Sequence, residues 1–581
     1  MKLNKSFINK LAQLKNSIQE FLINLDSRFK LGIIGFIVGV TSGLAAVALT
    51  FSLKSIASFL DQHKTEYIDF ILPVFGLFLT VVFLKYIIRD FGGHGLPEVI
   101  HSISLKGGKI KLRSAVSRLI GSLITISSGG SAGPEAPVVI SGSAIGSNFA
   151  SLFKTDERIR IAISGSGAAA AIAAIFNAPL TGIIFTMEVI IGEWTPVYLL
   201  PVVIASVTGT EISRLLKGNQ IPFAHQEISV SITDITAAVG LALFCAIFSI
   251  IFIKFLRRTS NTLSQVFKSS LTKAIMGAIP VAIIVYFLPQ VRGEGYEFIE
   301  NLISGRYDEG ILLLFLVVIF KIIATSFTLG AGGAGGVFAP ALVIGSATGL
   351  LFYSIIKTIS PQIVLSSPGL YALMGMSGLI GGILNAPLTG IFLIIEITDG
   401  YDAILPLLLV SFLSPTIVRF FEHHSIYHYE LIKKGLFHRP RTDGRILADI
   451  KPIELLEQDQ ICIHPDYTLK DLIPVIKKSP RNYFPVIDRE SEDFLGMIYF
   501  NDIKELIFDP SLQSTILVEE IMHTDLITVS LSDSLSEIQK KFDHTDTWSL
   551  PVIEDAKFKG LISKAGMLDL YRKELKVQTD K

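Results

Sequence analysis

The chain has 581 residues, of which 50% are hydrophobic and only 18% are charged, and its mean hydropathy is +0.55. This composition is too apolar for a soluble protein of such length, so the sequence predicts an integral membrane protein. Because 51 basic and 51 acidic residues cancel, the charge balance argues against nucleic-acid binding. The two cysteines, Cys245 and Cys462, are too few for a disulfide framework and fit a reducing compartment.

The N-terminal segment, residues 1–30, is polar and carries several lysines without a small-residue cleavage site, which argues against a signal peptide. Within it, residues 4–25 have an amphipathic pattern. This pattern predicts a cytoplasmic helix that lies against the membrane surface.

Long apolar runs alternate with Gly-rich turns from residue 31 to residue 430, which predicts a transmembrane domain over that range. Several runs are too short for a full crossing or are broken by Gly or Pro. Irregular backbone at membrane depth is tolerated only where protein or a water-filled cavity satisfies it, so the breaks indicate a transport pathway. The candidate spans are 31–58, 68–88, 112–128, 138–152, 158–176, 179–198, 199–216, 232–256, 272–289, 309–329, 338–358, 369–384, 387–398 and 402–420.

An internal repeat divides this domain into two halves. The sequence Asn-Ala-Pro-Leu-Thr-Gly at 177–182 recurs at 385–390, and each copy is followed by a glutamate, Glu188 or Glu396. Interrupted helices at matching places in two halves indicate a binding site between the repeats, near the middle of the membrane. The pattern itself leaves open whether the halves are parallel or inverted.

A basic cluster follows the last span, and the positive-inside rule places this end of the domain in the cytoplasm. The cluster consists of Lys433, Lys434, Arg439, Arg441 and Arg445.

The tail after a predicted linker at 431–448 is charged enough to be a soluble domain, and it is duplicated. Residues 484–488 match 550–554, and residues 494–498 match 558–562. Each copy has the pattern helix, short strand, turn, short strand, helix, which predicts two small α/β modules at 449–511 and 512–575.

Three Gly-rich segments, at 92–98, 129–137 and 332–340, each precede an apolar helical stretch. The start of a helix offers free N–H groups and a partial positive charge, which favour anions. Three such starts at one place would hold a dehydrated inorganic anion without a full positive charge, and a full charge would bind it too tightly for passage. One segment alone is equally well explained as a turn or a close helix contact.

These segments resemble motifs of the CLC family of chloride channels and proton–chloride exchangers, which they match at 93–97, 133–137 and 336–340. The tail resembles a pair of CBS domains. The resemblance covers nearly the whole chain from about residue 30. It implies an all-α polytopic membrane protein with two inverted helical repeats, a cytoplasmic α/β CBS pair, and a homodimer with one pore per subunit. The expected substrate is chloride or a related anion, carried across the cell membrane.

The resemblance also assigns roles to single residues. Glu135 takes the place of a gating glutamate, and a carboxylate at a helix start can occupy the site of an anion until protonation releases it. Backbone N–H groups of Val337 and Phe338 are expected to bind the central anion. The Tyr427 hydroxyl is expected to donate to the same anion, although an interfacial tyrosine would fit the pattern as well.

His94 and Gly95 belong to the first motif, in which His94 replaces the usual serine. An imidazole N–H can still donate to an anion and can titrate near neutral pH. The alternative is that His94 turns aside and a backbone N–H serves instead.

Two further departures bear on mechanism. Pro134 replaces a basic residue and removes a backbone donor beside Glu135. Val189 stands where many exchangers carry an internal glutamate on the proton path, while its neighbour Glu188 is expected to be structural. Pro134 thus argues against an outer anion site, whereas Val189 favours channel-like conduction, with proton-coupled chloride antiport as the alternative.

In the tail, Asp502 resembles the aspartate with which CBS domains grip a nucleotide ribose. In the second copy Gly566 replaces that aspartate while Ser563 remains. The resemblance therefore allows an adenine nucleotide as a cofactor, and a purely structural pair is the alternative.

Two other functional classes fit less well. A CBS-regulated cation transporter needs clustered intramembrane carboxylates, whereas two of the three candidates, Glu188 and Glu396, occupy equivalent repeat positions. An intramembrane metalloprotease needs His-Glu-x-x-His, which the sequence lacks, and no nucleophile has a base in motif spacing. We therefore expect neither an enzyme nor a metal site.

Overall fold

The structure is a computed structural model that describes residues 27–62, 66–89, 95–219, 223, 230–306, 310–433, 450–545 and 547–579. The chain divides into two units, Met1–Phe437 and His438–Lys581. The amphipathic helix predicted at 4–25 and most of the linker predicted at 431–448 lie outside the described residues.

The first half of the membrane unit is helical, and short π-helical turns at Phe83–Ile87 and Thr186–Ile191 continue its second and seventh helices. Its described helices are α1 Ser27–Gln62, α2 Glu66–Val82, α3 Leu96–Leu105, α4 Leu112–Ser127, α5 Glu135–Leu152, α6 Glu157–Phe176, α7 Pro179–Phe185 and α8 Pro196–Lys217.

The second half repeats this series in the same order, and one further helix follows it. Its described helices are α9 Ile232–Val266, α10 Ser270–Phe287, α11 Tyr296–Ile303, α12 Ile311–Gly330, α13 Phe338–Ile359, α14 Pro368–Leu384, α15 Pro387–Thr398 and α16 Ile404–Phe421, and the additional helix is α17 Ile426–Lys433.

The repeated sequence at 177–182 and 385–390 acts in the same way in both halves. Asn177 ends α6 with a φ of 53°, and Asn385 ends α14 with a φ of 58°. Asparagine tolerates this left-handed conformation, and a proline two residues later begins the next helix with its φ already set. The repeat therefore encodes a helix stop followed at once by a helix start.

Among the described residues, nine helices are long and apolar enough to cross a membrane. Three further apolar helices are shorter, at Pro179–Ile191, Pro368–Leu384 and Pro387–Thr398. The expectation of many spans mixed with short, interrupted helices is confirmed.

Several predicted spans have the wrong limits. The structure starts α8 at Pro196 rather than at residue 199, because proline fits the first turn of a helix. It extends α9 to Val266, ten residues past the predicted end at residue 256, since charged residues outside the apolar core continue a helix without breaking it. Neither α3 nor α11 was predicted as a span, because they have only 10 and 8 residues.

Glycines allow the central helices of each half to touch backbone to backbone. A Cβ atom on Gly142 of α5 would lie 2.1 Å from the Gly167 carbonyl oxygen of α6. In the second half, a Cβ on Gly349 of α13 would lie 1.8 Å from the Tyr371 carbonyl oxygen of α14. Such contacts bring the helix starts on either side of them close together, because the helices pack without intervening side chains.

The tail unit contains two β-hairpins with helices. Its described elements are α18 Leu469–Lys478, β1 Tyr483–Ile487, β2 Phe494–Tyr499, α19 Phe500–Ile503, α20 Val518–Ile521, α21 Leu535–Asp543, β3 Ser549–Glu554, β4 Lys557–Ser563 and α22 Lys564–Thr579. Among the described residues, short 3-10 turns lie in the membrane unit at Pro289–Val291 and Tyr401–Ala403, and in the tail at Pro452–Leu455.

Both hairpins are antiparallel and have equivalent registers, with Phe484 opposite Ile498 and Leu550 opposite Ile562. The segment before each copy pairs with the hairpin of the other copy. Glu457 bridges to Leu561 of β4, while His523 bridges to Met497 of β2. The two α/β modules predicted from the duplication therefore exchange edge segments.

We expect Gly349→Ala to prevent correct packing of the membrane unit or to lower its stability by roughly 1–3 kcal/mol, since the new methyl group meets backbone that cannot move aside cheaply. The measurement is the unfolding temperature and elution profile of the detergent-solubilised protein. Gly310→Ala is the matched control, because a Cβ there meets no atom within 4 Å. Equal unfolding temperatures for both variants would contradict the packing argument.

Candidate functional site

The starts of α5 and α13, which are equivalent helices of the two halves, are joined by backbone hydrogen bonds. The N–H of Gly133 donates to the carbonyl oxygen of Gly336 at 2.9 Å, and the N–H of Gly336 donates to that of Gly133 at 2.8 Å. These glycines are themselves equivalent residues of the repeat, so the pair lies on a local two-fold axis between the halves. Both helices therefore begin at the same central place.

Threonine hydroxyls cross this axis in both directions. The N–H of Ala334 donates to Thr125 Oγ1 at 3.0 Å, and the N–H of Ser131 donates to Thr328 Oγ1 at 3.2 Å. Each threonine belongs to the helix that precedes one Gly-rich segment and binds the Gly-rich segment of the other half. The exchange therefore gives each loop a hydrogen-bond partner from the other half of the domain.

The two glutamates of the repeat also exchange partners. Glu188 accepts hydrogen bonds from the N–H groups of Leu388 and Thr389, at 3.1 and 2.8 Å, at the start of α15. Glu396 accepts from the N–H groups of Leu180 and Thr181, at 2.8 and 2.7 Å, at the start of α7. Each carboxylate thus caps the helix of the opposite half, where it also complements the helix dipole. These contacts support the structural role expected for Glu188.

A cavity of about 250 Å3 lies where the three Gly-rich segments meet. Its wall includes the start of α3 at 95–97, the start of α5 at 136–137 and the loop 332–337 before α13. Two of the predicted anion-binding residues, Gly95 and Val337, line it. The structure therefore brings together the three segments that the sequence places far apart.

Tyr427 lines the same cavity from α17. Its hydroxyl is buried and has no hydrogen-bond partner among the described residues. A buried hydroxyl without a partner is costly, so its position at a cavity fits a group that donates to a bound molecule.

Two arginines complete the cavity wall, and each is paired with a glutamate. Arg118 lies 3.3 Å from Glu98. Arg257 forms an ion pair with Glu422, and its guanidinium stacks 3.7 Å from the ring centre of Tyr429. Both arginines are neutralised by their glutamate partners. An anion in the cavity would therefore meet helix starts and the Tyr427 hydroxyl rather than an unpaired positive charge.

Glu135 is the first residue of α5 and is buried. The hydroxyl of Tyr296 donates a hydrogen bond to its Oε1 atom. On the other side, a Cβ on Gly133 would lie 2.0 Å from Oε2, so the glycine leaves room for the carboxylate. The N–H groups of Glu135 itself and of Ala339 also lie near the carboxyl group, while Oε2 has no hydrogen-bond partner among the described residues. The carboxyl group therefore sits beside donors that would also suit an anion.

The remaining predicted residues are placed as follows. Phe338 begins α13, and its ring packs against Phe176 and Phe185, with ring centres 5.7 and 6.1 Å apart. Gly95 precedes α3 with a φ of 75°, a conformation that glycine adopts without strain. His94 lies outside the described residues.

Sequence reasoning missed Tyr296, which contacts Glu135, and Lys321, which contacts the turn before Tyr296. Tyr296 went unnoticed because α11 is short, although Gly295 holds the place before α11 that Gly95 holds before α3, with a φ of 84°. Lys321 lies within a predicted span and is fully buried. A lysine inside an apolar run is a recognisable signal of an intramembrane functional or structural contact.

In the tail, the two candidate nucleotide residues contact protein groups. Asp502 lies 2.8 Å from His523. The Ser563 hydroxyl donates to Glu457 at 2.5 Å and accepts from the N–H of Gly566 at 3.0 Å. A nucleotide at Ser563 would meet the carboxylate of Glu457, so the adenine nucleotide stays a prediction that these contacts do not favour.

Comparison with known families agrees with this geometry. The profile of the family described as voltage gated chloride channel matches residues 75–419. The profile of the CBS domain matches residues 453–509 and 518–573.

Several curated relatives carry a transporter name. The H(+)/Cl(-) exchange transporter ClcA of Vibrio cholerae serotype O1 is 27% identical over 423 residues, which cover 70% of this chain and 90% of the relative. The protein of the same name from Vibrio parahaemolyticus is 26% identical over 417 residues, which cover 68% of this chain and 88% of the relative.

Solved structures share the fold. A slow cyanobacterial Cl-/H+ antiporter superposes with a TM-score of 0.63 at 21% identity and covers 71% of this chain and 99% of its own. A eukaryotic CLC transporter superposes with a TM-score of 0.62 at 19% identity, covering 92% of this chain and 97% of its own. The predicted fold class, a polytopic helical membrane domain with a CBS pair, is confirmed.

We expect Glu188→Gln and Glu396→Gln each to lower the free energy of unfolding by about 1–3 kcal/mol, because each loses a charge-assisted helix cap. Unfolding temperatures of the purified variants measure the effect, and similar losses are expected because the two caps are equivalent. Glu211→Gln is the control, since Glu211 forms only an exposed ion pair with Arg214. Abolished anion flux at an unchanged unfolding temperature would instead assign Glu188 to transport.

Proposed function

The chain belongs to the voltage-gated chloride channel (CLC) family, and on that premise we propose that it carries chloride past three helix starts under the control of Glu135. The observation that carries the proposal is the cavity at which those helix starts meet the Tyr427 hydroxyl, which has no hydrogen-bond partner in the described part of the chain. The protein is a multi-pass membrane protein, and its membrane domain performs CLC-type chloride transport.

The proposed anion site uses weak, numerous donors. The first N–H groups of a helix have no partner within that helix, so those of Val337 and Phe338 at the start of α13 are available to an anion. Tyr427 adds one hydroxyl donor from α17. Donors of this kind hold a dehydrated chloride ion firmly enough to admit it and loosely enough to release it.

Glu135 is the proposed gate because its carboxylate lies where an anion would be favoured. It lies at a helix start, and Tyr296 donates to it as a donor would to chloride. When charged, the carboxylate and an anion compete for the same part of the pathway. Protonation removes that charge and weakens the interactions that hold the side chain at the helix start.

The same geometry disfavours the cation-transporter reading. Each of the three carboxylates considered as cation ligands has its own partners: Glu188 and Glu396 cap helices, and Glu135 accepts from Tyr296. None of these contacts is shared, as a cation-binding cluster would require.

Coupling to protons has two candidate answers. Val189 is buried and cannot carry a proton, which favours uncoupled, channel-like movement of chloride. Proton–chloride antiport is favoured by the relatives from Vibrio, which are named exchange transporters. We propose the uncoupled mechanism because it rests on a residue of this chain.

Assembly and orientation follow the family. We propose a homodimer with one pathway per subunit, and a cytoplasmic location for both the N-terminal segment and the tail. The basic residues after the last span support this orientation. We propose that the CBS pair modulates transport, since it is a separate unit from the pathway.

We expect Glu135→Gln to remove the pH dependence of chloride flux while flux itself persists, because the amide cannot change its charge. The measurement is chloride efflux from proteoliposomes between about pH 4.5 and 7.5, a range that covers the protonation of a perturbed carboxylate. Glu211→Gln is the control and should keep the wild-type profile. A wild-type pH response in Glu135→Gln would show that Glu135 is not the gate.

Under opposed chloride and pH gradients, we expect reconstituted protein to reverse its current at the chloride equilibrium potential, because no internal carboxylate stands at position 189. The measurement is the reversal potential in planar bilayers. Glu135→Gln is the control, because this variant is not expected to couple chloride to protons under either mechanism. A reversal potential that moves with the pH gradient would establish antiport and replace the uncoupled proposal.

A further inference from the structure

We propose that Tyr296 is a positioning residue that holds the Glu135 carboxylate in the anion pathway and thereby sets the pH at which transport begins. The inference rests on the proposed gating role of Glu135 and goes beyond it, because it assigns the closed state of the gate to a donor from the other half of the membrane domain.

The Tyr296 side chain is fixed in the direction of the carboxylate. Its hydroxyl donates to Glu135 Oε1. Its ring makes edge contacts with Phe176 and Phe223, whose ring centres lie 6.4 and 6.2 Å away. Because two aromatic rings from different parts of the chain hold the phenol ring, the hydroxyl position does not depend on the presence of the carboxylate.

The turn that leads into Tyr296 is also fixed. Lys321 is fully buried in α12, and its ammonium group donates to the carbonyl oxygens of Val291 and Gly293, both at 2.9 Å. A Cβ on Gly295 would lie 2.7 Å from Val343 Cγ2, so the turn packs tightly against α13 as well. Tyr296 therefore projects from a rigid support.

A hydroxyl donor favours the charged carboxylate over the protonated one, because a hydrogen bond to an ionised acceptor is the stronger of the two. Two other titratable groups, Glu294 on the turn before Tyr296 and Tyr427 on α17, are close enough to feel the charge of Glu135. Lys321 on α12 interacts with Glu294. His94, in the first Gly-rich segment, lies outside the described residues.

Replacing Tyr296 by phenylalanine removes only the hydroxyl. The ring contacts remain, as do the charges of Glu294 and Lys321. The charged, blocking form of Glu135 then loses a donor, so the side chain is protonated and released at a higher pH. Loss of a hydrogen bond to a charged group should raise the pH of half-maximal flux by roughly one to two pH units.

The experiment compares chloride efflux from proteoliposomes as a function of pH for wild type, Tyr296→Phe, Glu135→Gln and the double variant. Tyr371→Phe is the matched control, because the Tyr371 hydroxyl donates to another buried carboxylate, Asp234, at 2.9 Å. Size-exclusion chromatography of each protein establishes that it is folded. Glu135→Asp is a second route to the same state, since the shorter side chain withdraws the carboxylate from Tyr296.

We expect the half-maximal pH to rise in Tyr296→Phe and in Glu135→Asp, to stay unchanged in Tyr371→Phe, and to be undefined in both variants that carry Glu135→Gln. A Tyr296→Phe profile that superposes on wild type, while Glu135→Gln is flat, overturns the role of Tyr296 alone. If Tyr296→Phe does not fold, an unshifted Glu135→Asp profile overturns it equally. A retained pH response in Glu135→Gln overturns the gate and the inference together.

Discussion

Backbone groups inside a membrane must find partners within the protein, and the two halves of this domain supply those partners to each other. Glu188 and Glu396 cap helix starts across the local two-fold axis, and Gly133 pairs with Gly336 on it. Because every one of these contacts joins opposite halves, neither half would satisfy its own loops alone. The central helix starts are held in place before any anion arrives, which is the preorganisation that a transport site requires.

Function arises where the two halves differ. At the start of α5 the first residue is Glu135, whereas Phe338 is the first residue of the equivalent helix α13. The start of α5 thus carries a carboxyl group of its own. The start of α13 leaves its N–H groups accessible, because the ring of Phe338 packs to one side. Tyr427 belongs to α17, which has no counterpart among the described residues of the first half. The repeat supplies the frame, and single departures from it supply the proposed gate and the proposed hydroxyl donor to the anion.

Much of this arrangement was predictable from the sequence because the relevant signals are local. Gly-rich segments before apolar helices, and the repeat at 177–182 and 385–390, identify the helix starts and their pairing between halves. Tyr296 was not predictable in the same way, since its contact with Glu135 depends on how a short helix of the second half packs against the first. The exchange between Glu188 and Glu396 likewise requires knowledge of which half each side chain reaches, which periodicity does not contain.

The relation between Tyr296 and Glu135 links protons to anions on thermodynamic grounds. If the charged carboxylate and chloride exclude each other from one pathway, then each must weaken the binding of the other, and the effect is reciprocal. A donor that serves only the carboxylate shifts this competition toward the closed state without altering the anion site itself. Tyr296 comes from the turn anchored by Lys321, whereas Val337 and Tyr427 line the cavity. The donors of the gate and of the anion are therefore separate residues, but because the two bind competitively, a change at Tyr296 shifts the pH of opening and the apparent anion affinity together.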